Sequence, residues 1–128
     1  MQQAKTTKAL LAQNKDFVAM IGFEDMALYV CQSEDDDYYA SHRFDGNEDA
    51  AGMIYLDFQC SLWPASDNMV LYGHNMRGGS RFGKLLRYTD LEYLTENSTI
   101  HFATLYEIGE YTPISVFYTS VNPEDEDY

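Results

Sequence analysis

Few side chains in this 128-residue sequence can do acid–base or nucleophilic chemistry near neutral pH: three histidines, His42, His74 and His101, and two cysteines, Cys31 and Cys60. His74 has the most informative setting. It lies in Leu71-Tyr72-Gly73-His74-Asn75-Met76, an apolar strand that ends in a glycine and then a histidine. Glycine permits an abrupt turn or a close backbone approach. A histidine just past a strand end, on a rim, is placed to reach a ligand and exchange a proton. Considered singly, the commoner fate of such a histidine is a rim position with no chemical task.

The cysteines offer less. Cys31 sits in the apolar stretch Tyr29-Val30-Cys31 and reads as a small buried hydrophobe. Cys60 precedes a loop, with no basic neighbour in sequence to lower its pKa. Two cysteines are too few for a disulfide framework and lack metal-type spacing. Whether they pair with each other is a matter of geometry. His42 and His101 are expected to be structural. The acidic runs Glu34–Asp37 and Glu124–Asp127 lack the alternating ligands and turn glycine of a calcium loop, so they read as solvated faces. Neither a metal nor a cofactor is expected.

The net charge of −13, from 21 acids against 8 bases, would repel a polyphosphate, so nucleic acid is not an expected partner. A cationic partner is compatible with that field. An apolar content of 45% predicts one packed domain over residues 1–128, and an aromatic content of 15% tilts it toward β structure. No apolar run approaches the roughly 20 residues of a membrane helix. The cluster Ala9–Ala12 is too short for the apolar core of a signal peptide.

The elements that must position His74 follow from periodicity. Residues 6–15 predict a helix, within an N-terminal segment 1–15. Phe17–Phe23 and Met26–Gln32 predict strands joined by a Glu24-Asp25 turn. A short helix is expected over 35–41, a turn at Asp45-Gly46-Asn47, and strands over Met53–Phe58 and Met69–Tyr72 around a Cys60–Asn68 loop. Arg77-Gly78-Gly79-Ser80 reads as a turn. Phe82–Tyr88 and Asp90–Leu94 read as short helices, the second capped by Asp90. Thr99–Tyr106 and Tyr111–Ser120 suggest a hairpin turning at Ile108-Gly109-Glu110. Barrel strands are thus expected over 16–122, and an acidic tail over 123–128. Many short strands with few helices argue for a barrel or sandwich.

Four blocks, in order, resemble class B sortases, cell-surface cysteine transpeptidases. They are Asn14-Lys15-Asp16-Phe17-Val18; Asp37-Tyr38-Tyr39 with His42 and Phe44-Asp45-Gly46; Gly52-Met53-Ile54-Tyr55-Leu56-Asp57; and Tyr72-Gly73-His74-Asn75-Met76 with Gly79 and Phe82. Tyr118 also fits, and the resemblance covers about residues 12–128. Met20 stands where the family usually has tryptophan and Tyr29 where it has proline; both keep an apolar or aromatic strand.

The resemblance implies a mainly β, sortase-like barrel with an N-terminal helix, and His74 as catalytic histidine. It implies a sorting-signal peptide as substrate, a cell-wall amine as acceptor, and the outer face of a Gram-positive cell membrane as location. The family's cysteine follows a Thr-Leu-x-Thr type strand and its arginine lies on the next strand. The residues after His74 include no cysteine, and Arg77, Arg81 and Arg87 are not where that arginine belongs. The expectation is therefore an incomplete barrel, inactive alone and open to pairing with a second copy along its sheet edge. The alternative is a non-catalytic remnant that binds a peptide or protein.

Overall fold

The computed structural model describes residues 6–24, 26–74, 81–117 and 119. Asp25, Asn75 and Met76, the Arg77–Ser80 turn, Tyr118, Ser120 and the acidic tail lie outside the described residues.

Helix α1, Thr7–Gln13, begins where the Thr6 hydroxyl accepts from the Ala9 N–H at 3.1 Å, a side-chain N-cap. Its one buried residue, Leu10, anchors it. Strands β1 (Phe17–Phe23) and β2 (Met26–Cys31) pair antiparallel, with Glu24 at φ +55 in the connection. Asp35 Oδ1 then accepts from the backbone N–H groups of Asp37 and Tyr38, starting a 3-10 helix over Tyr38–Ala40. Gly46, at φ +85, supplies the left-handed residue of the following turn.

Strand β3 (Ile54–Leu56) returns parallel to β2, and β4 (Leu71–Tyr72) pairs antiparallel with β3. A second 3-10 helix spans Gly83–Thr89, and α2 spans Leu91–Glu96. Asp90 caps α2, its carboxylate accepting from Glu92 and Tyr93 N–H. Strands β5 (Ile100–Thr104) and β6 (Ile108–Tyr111) complete one six-stranded sheet of order β4-β3-β2-β1-β5-β6. It is a curled half-barrel.

The last hairpin differs from the sequence expectation. Ile108-Gly109-Glu110, expected as the turn, is strand β6, and no regular structure follows Tyr111 over residues 112–117. The turn comes earlier because Thr104 makes it: its hydroxyl accepts from the N–H groups of Tyr106 and Glu107, and its own N–H donates to Glu107 O at 2.8 Å. Here the local bonds of the Thr104 side chain compete with the glycine turn signal and place the turn earlier.

The sheet's curl determines the core. Val18, Ala19, Ile21, Phe23, Val30, Ile54, Leu56, Tyr88 and Phe102 are buried together. A smaller cluster of Cys31, Tyr39 and Met53 sits under the first 3-10 helix. Along β1 nearly every residue is buried, as expected when both faces of a strand are covered.

Candidate functional site

Strand β4 is only two residues long, and the glycine after it packs against the core. A Cβ at Gly73 would overlap Ile54 Cδ1 and come within 2.6 Å of Phe82 Cδ2. A side chain here would have to displace the Ile54 and Phe82 side chains; the strand ends at Tyr72, and the chain emerges at His74, which is exposed. The Phe82 N–H donates to the His74 carbonyl at 3.0 Å, holding the far end of the following segment against the same point.

The imidazole of His74 is not loose. Its Nε2 lies 2.9 Å from the carbonyl oxygen of Ala40, the last residue of the first 3-10 helix. That carbonyl is in turn crowded by Gly52. At φ +56, Gly52 brings its backbone so near Tyr39 and Ala40 that a Cβ would meet both carbonyl oxygens, that of Ala40 at 2.6 Å. Met53 N–H donates to Tyr39 O at 3.0 Å, and Arg81 Nε–H donates to Gly52 O at 2.7 Å. Arg81 also lies 4.0 Å from Asp49.

Beneath this rim, the Tyr39 hydroxyl donates to Asp16 Oδ2 at 2.8 Å and accepts from Asn14 Nδ2 at 3.1 Å. Burial pushes the Tyr39 hydroxyl above its ordinary range. Two residues before His74, Tyr72 stacks on Tyr55 with ring centroids 5.2 Å apart, and its hydroxyl donates to Asp57 at 3.0 Å. The Gln59 N–H, and then Asp36 and Tyr72, hold Asp57 below the usual carboxylate range; desolvation, and then the neighbouring Asp57, raises Asp36.

Neither cysteine is arranged as a nucleophile for His74. Cys31 is fully buried and its thiol is pushed up to about 12, chiefly by desolvation. Cys60 is half-buried, with its sulfur donating to Asn68 O and accepting from Val70 N–H. Both thiols are free, so the pair does not form a disulfide. His42 stacks on Tyr38 at 4.0 Å, with Nδ1 2.7 Å from Tyr38 O, and His101 faces Glu110 at 3.8 Å; both fill structural positions. Arg87 pairs with Glu24 at 3.2 Å.

Among the described residues two cavities lie beside the sheet's residues. One, of about 390 Å³, is lined by Ile21, Leu71, Phe102 and Tyr111, with Asp67 and Glu107. The other, of about 200 Å³, is lined by Tyr29, Phe44, Gly52, Met53 and Arg81. His74 lines neither, although Gly52 and Arg81, which brace its partner, line the second. The sequence singled out the Tyr-Gly-His run but not Ala40 or Arg81. Gly52, one residue before the apolar Met53–Leu56 run, was the visible trace of that brace.

The mostly β curled half-barrel matches the fold of sortase B structures. The chain is 33% identical over 100 residues to sortase B of Listeria monocytogenes, a match covering 74% of this chain and 41% of that protein. It superimposes on a sortase B from B. anthracis with a TM-score of 0.81 at 26% identity, covering 98% of this chain and 66% of the other. Its match to a Staphylococcus aureus sortase B–substrate complex has a TM-score of 0.77 at 25% identity, covering 80% and 49%. No family model matches the chain. The chain is a sortase B homologue corresponding to part of that domain, and it spans about two fifths of the length of the curated relative. Among the described residues no helix is long and apolar enough to cross a membrane.

Proposed function

We propose that this chain supplies the histidine of a sortase B-like transpeptidation, with His74 as the proton-transfer group. The observation that carries the reading is the placement of His74. In a fold superimposing on sortase B structures, it is exposed where β4 ends, with one ring nitrogen tied to the protein. That arrangement leaves the other nitrogen for a reactant.

In this reaction a cysteine thiolate attacks the carbonyl carbon of a sorting-signal peptide. The C–N bond breaks, and the leaving nitrogen takes a proton from the imidazolium. An amine then attacks the thioester, the C–S bond breaks to return the thiolate, and the imidazole accepts the proton of the incoming amine. Neither Cys31 nor Cys60 provides that thiolate, so the proposal places it outside these 128 residues. The proposed substrate is a peptide, and a Staphylococcus aureus sortase B has been seen in a substrate complex. The amine is that of a cell-wall acceptor, and the proposed location is the surface of a Gram-positive cell.

The test is a chimera in which residues 17–117 replace the corresponding part of the B. anthracis sortase B. Turnover of a sorting-signal peptide is expected, with a loss of about 100-fold or more on His74→Ala, the usual worth of a positioned acid–base group. A folded chimera whose turnover is indifferent to His74→Ala would falsify the assignment.

A further inference from the structure

The contact between His74 and Ala40 determines more than a ring position. A carbonyl oxygen carries no hydrogen, so at 2.9 Å it can only accept, and Nε2 must donate. Neutral His74 in this geometry therefore carries its proton on Nε2, and Nδ1 holds the free lone pair. When the ring is protonated, the hydrogen added is on Nδ1. The proton exchanged with a reactant is then the Nδ1 proton, whose departure leaves the N–H electron pair on Nδ1 and the Nε2–H···O bond intact.

The Ala40 carbonyl is itself held by a chain of contacts. The 3-10 helix Tyr38–Ala40 is anchored below through Tyr39, whose hydroxyl reaches Asp16 and Asn14. It is braced from above by Gly52, which admits no Cβ at that approach. The turn carrying Gly52 is fastened by its own N–H to Asp49 O at 2.9 Å and by Arg81 to Gly52 O at 2.7 Å. Arg81 sits one residue before Phe82, whose N–H bonds the His74 carbonyl. The brace thus closes on the residue it orients.

We propose that the Ala40 carbonyl, seated by Gly52 and Arg81, is the positioning group that selects the Nε2–H tautomer of His74 and reserves Nδ1 for proton exchange. The functional consequence rests on the sortase reading above; the tautomer does not. Gly52 and Arg81 are positioning residues, since they act through Ala40 rather than on a substrate.

The experiment is ¹⁵N spectroscopy of the His74 ring in the whole chain, in buffer alkaline enough that the ring ¹⁵N shifts themselves report the neutral form. The ratio of Nε2–H to Nδ1–H forms should exceed that of the same chain unfolded in urea by about fivefold, the bias expected of one net hydrogen bond. Gly52→Ala should return the ratio toward the unfolded value. Arg81→Ala, a partly exposed site that leaves the core intact, should move it the same way by less. Ile21→Val, a core truncation on β1, should leave it unchanged. A native ratio equal to the unfolded one, or a folded Arg81→Ala and a folded Gly52→Ala that both keep the native ratio, overturns the proposal. The chimera separates the two ideas: loss of turnover on His74→Ala with an unbiased tautomer sinks the positioning device alone. A biased tautomer with an indifferent His74→Ala sinks the catalytic reading alone.

Discussion

Gly73 packs against the end of the Ile54 side chain: a Cβ added to Gly73 would overlap Ile54 Cδ1 unless that side chain shifted. The contact lies one residue past the end of β4 and one before His74. Gly73→Ala should therefore cost about 1–3 kcal/mol by overpacking, and Ile54→Val about 0.5–1.5 kcal/mol by loss of a methylene. Because Val lacks Cδ1, the double variant should be more stable than the sum of the two losses implies. Urea unfolding of the four proteins measures the coupling. Additivity to within about 0.5 kcal/mol would show that the two sites are independent.

Alkaline pH should destabilise the fold through Cys31. Burial raises its thiol from 9.0 to about 12, so above pH 9 the unfolded chain ionises while the folded chain stays protonated. The unfolded state then binds fewer protons, and stability falls as pH rises through that window. It is fully present below pH 9 and lost toward about 12. The slope from this group is at most about 1.4 kcal/mol per pH unit. Tyr39, also raised by burial, acts in the same direction at higher pH. Cys31→Ala should flatten the slope between pH 9 and about 11, the part of the window below the strongest alkali, while costing packing energy at neutrality; an unchanged slope would remove Cys31 from the account.

The network beneath the rim should be sensitive to one atom. Tyr39→Phe removes the hydroxyl that donates to Asp16 and accepts from Asn14, leaving both groups short of a partner. A loss of about 1–3 kcal/mol is expected. Asn14 still reaches the Phe44 carbonyl at 3.1 Å, so the chain should remain folded. Thermal melts compare the two proteins, and equal stability would mean that water replaces the hydroxyl without cost.

Incubated alone with a quenched sorting-signal peptide, the 128-residue chain is expected to give no turnover. Its buried Cys31 should also resist a thiol reagent that labels the half-buried Cys60. Turnover that disappears on Cys60→Ala would make Cys60 the nucleophile and refute this expectation.

The sheet edge supports a proposal about association. Among the described residues β6 pairs only with β5, and Ile108 on it is 86% exposed, with Ile114 beyond it 98% exposed. An edge with apolar side chains recruits another strand. The charge of −13 opposes contact between copies and is screened by salt. Sedimentation should therefore show self-association that strengthens from low to high salt and weakens on Ile108→Lys. A monomer at every concentration and salt level, with a cooperative melt, would exclude the edge as an interface.

The first strands and the Asp90 cap were legible because their signals are local. Phe17–Phe23 reads as a strand from its apolar run, Asp90 caps a helix through bonds to N–H groups two and three residues on, and the Tyr-Gly-His step stands out by residue type alone. The last hairpin was misplaced for a related reason: Gly109 carried a turn signal, but the Thr104 hydroxyl made a competing turn earlier. By itself the amino-acid order determined the β-rich character, the strongly acidic surface, and which histidine ends a strand. Tertiary structure alone decided that Gly73 meets Ile54, that His74 meets a carbonyl 34 residues away, and that Gly52 and Arg81 brace it. Periodicity specifies which face of an element is apolar. It does not specify which two distant backbones approach closely enough to exclude a Cβ, because that distance is set by the packing of the whole sheet.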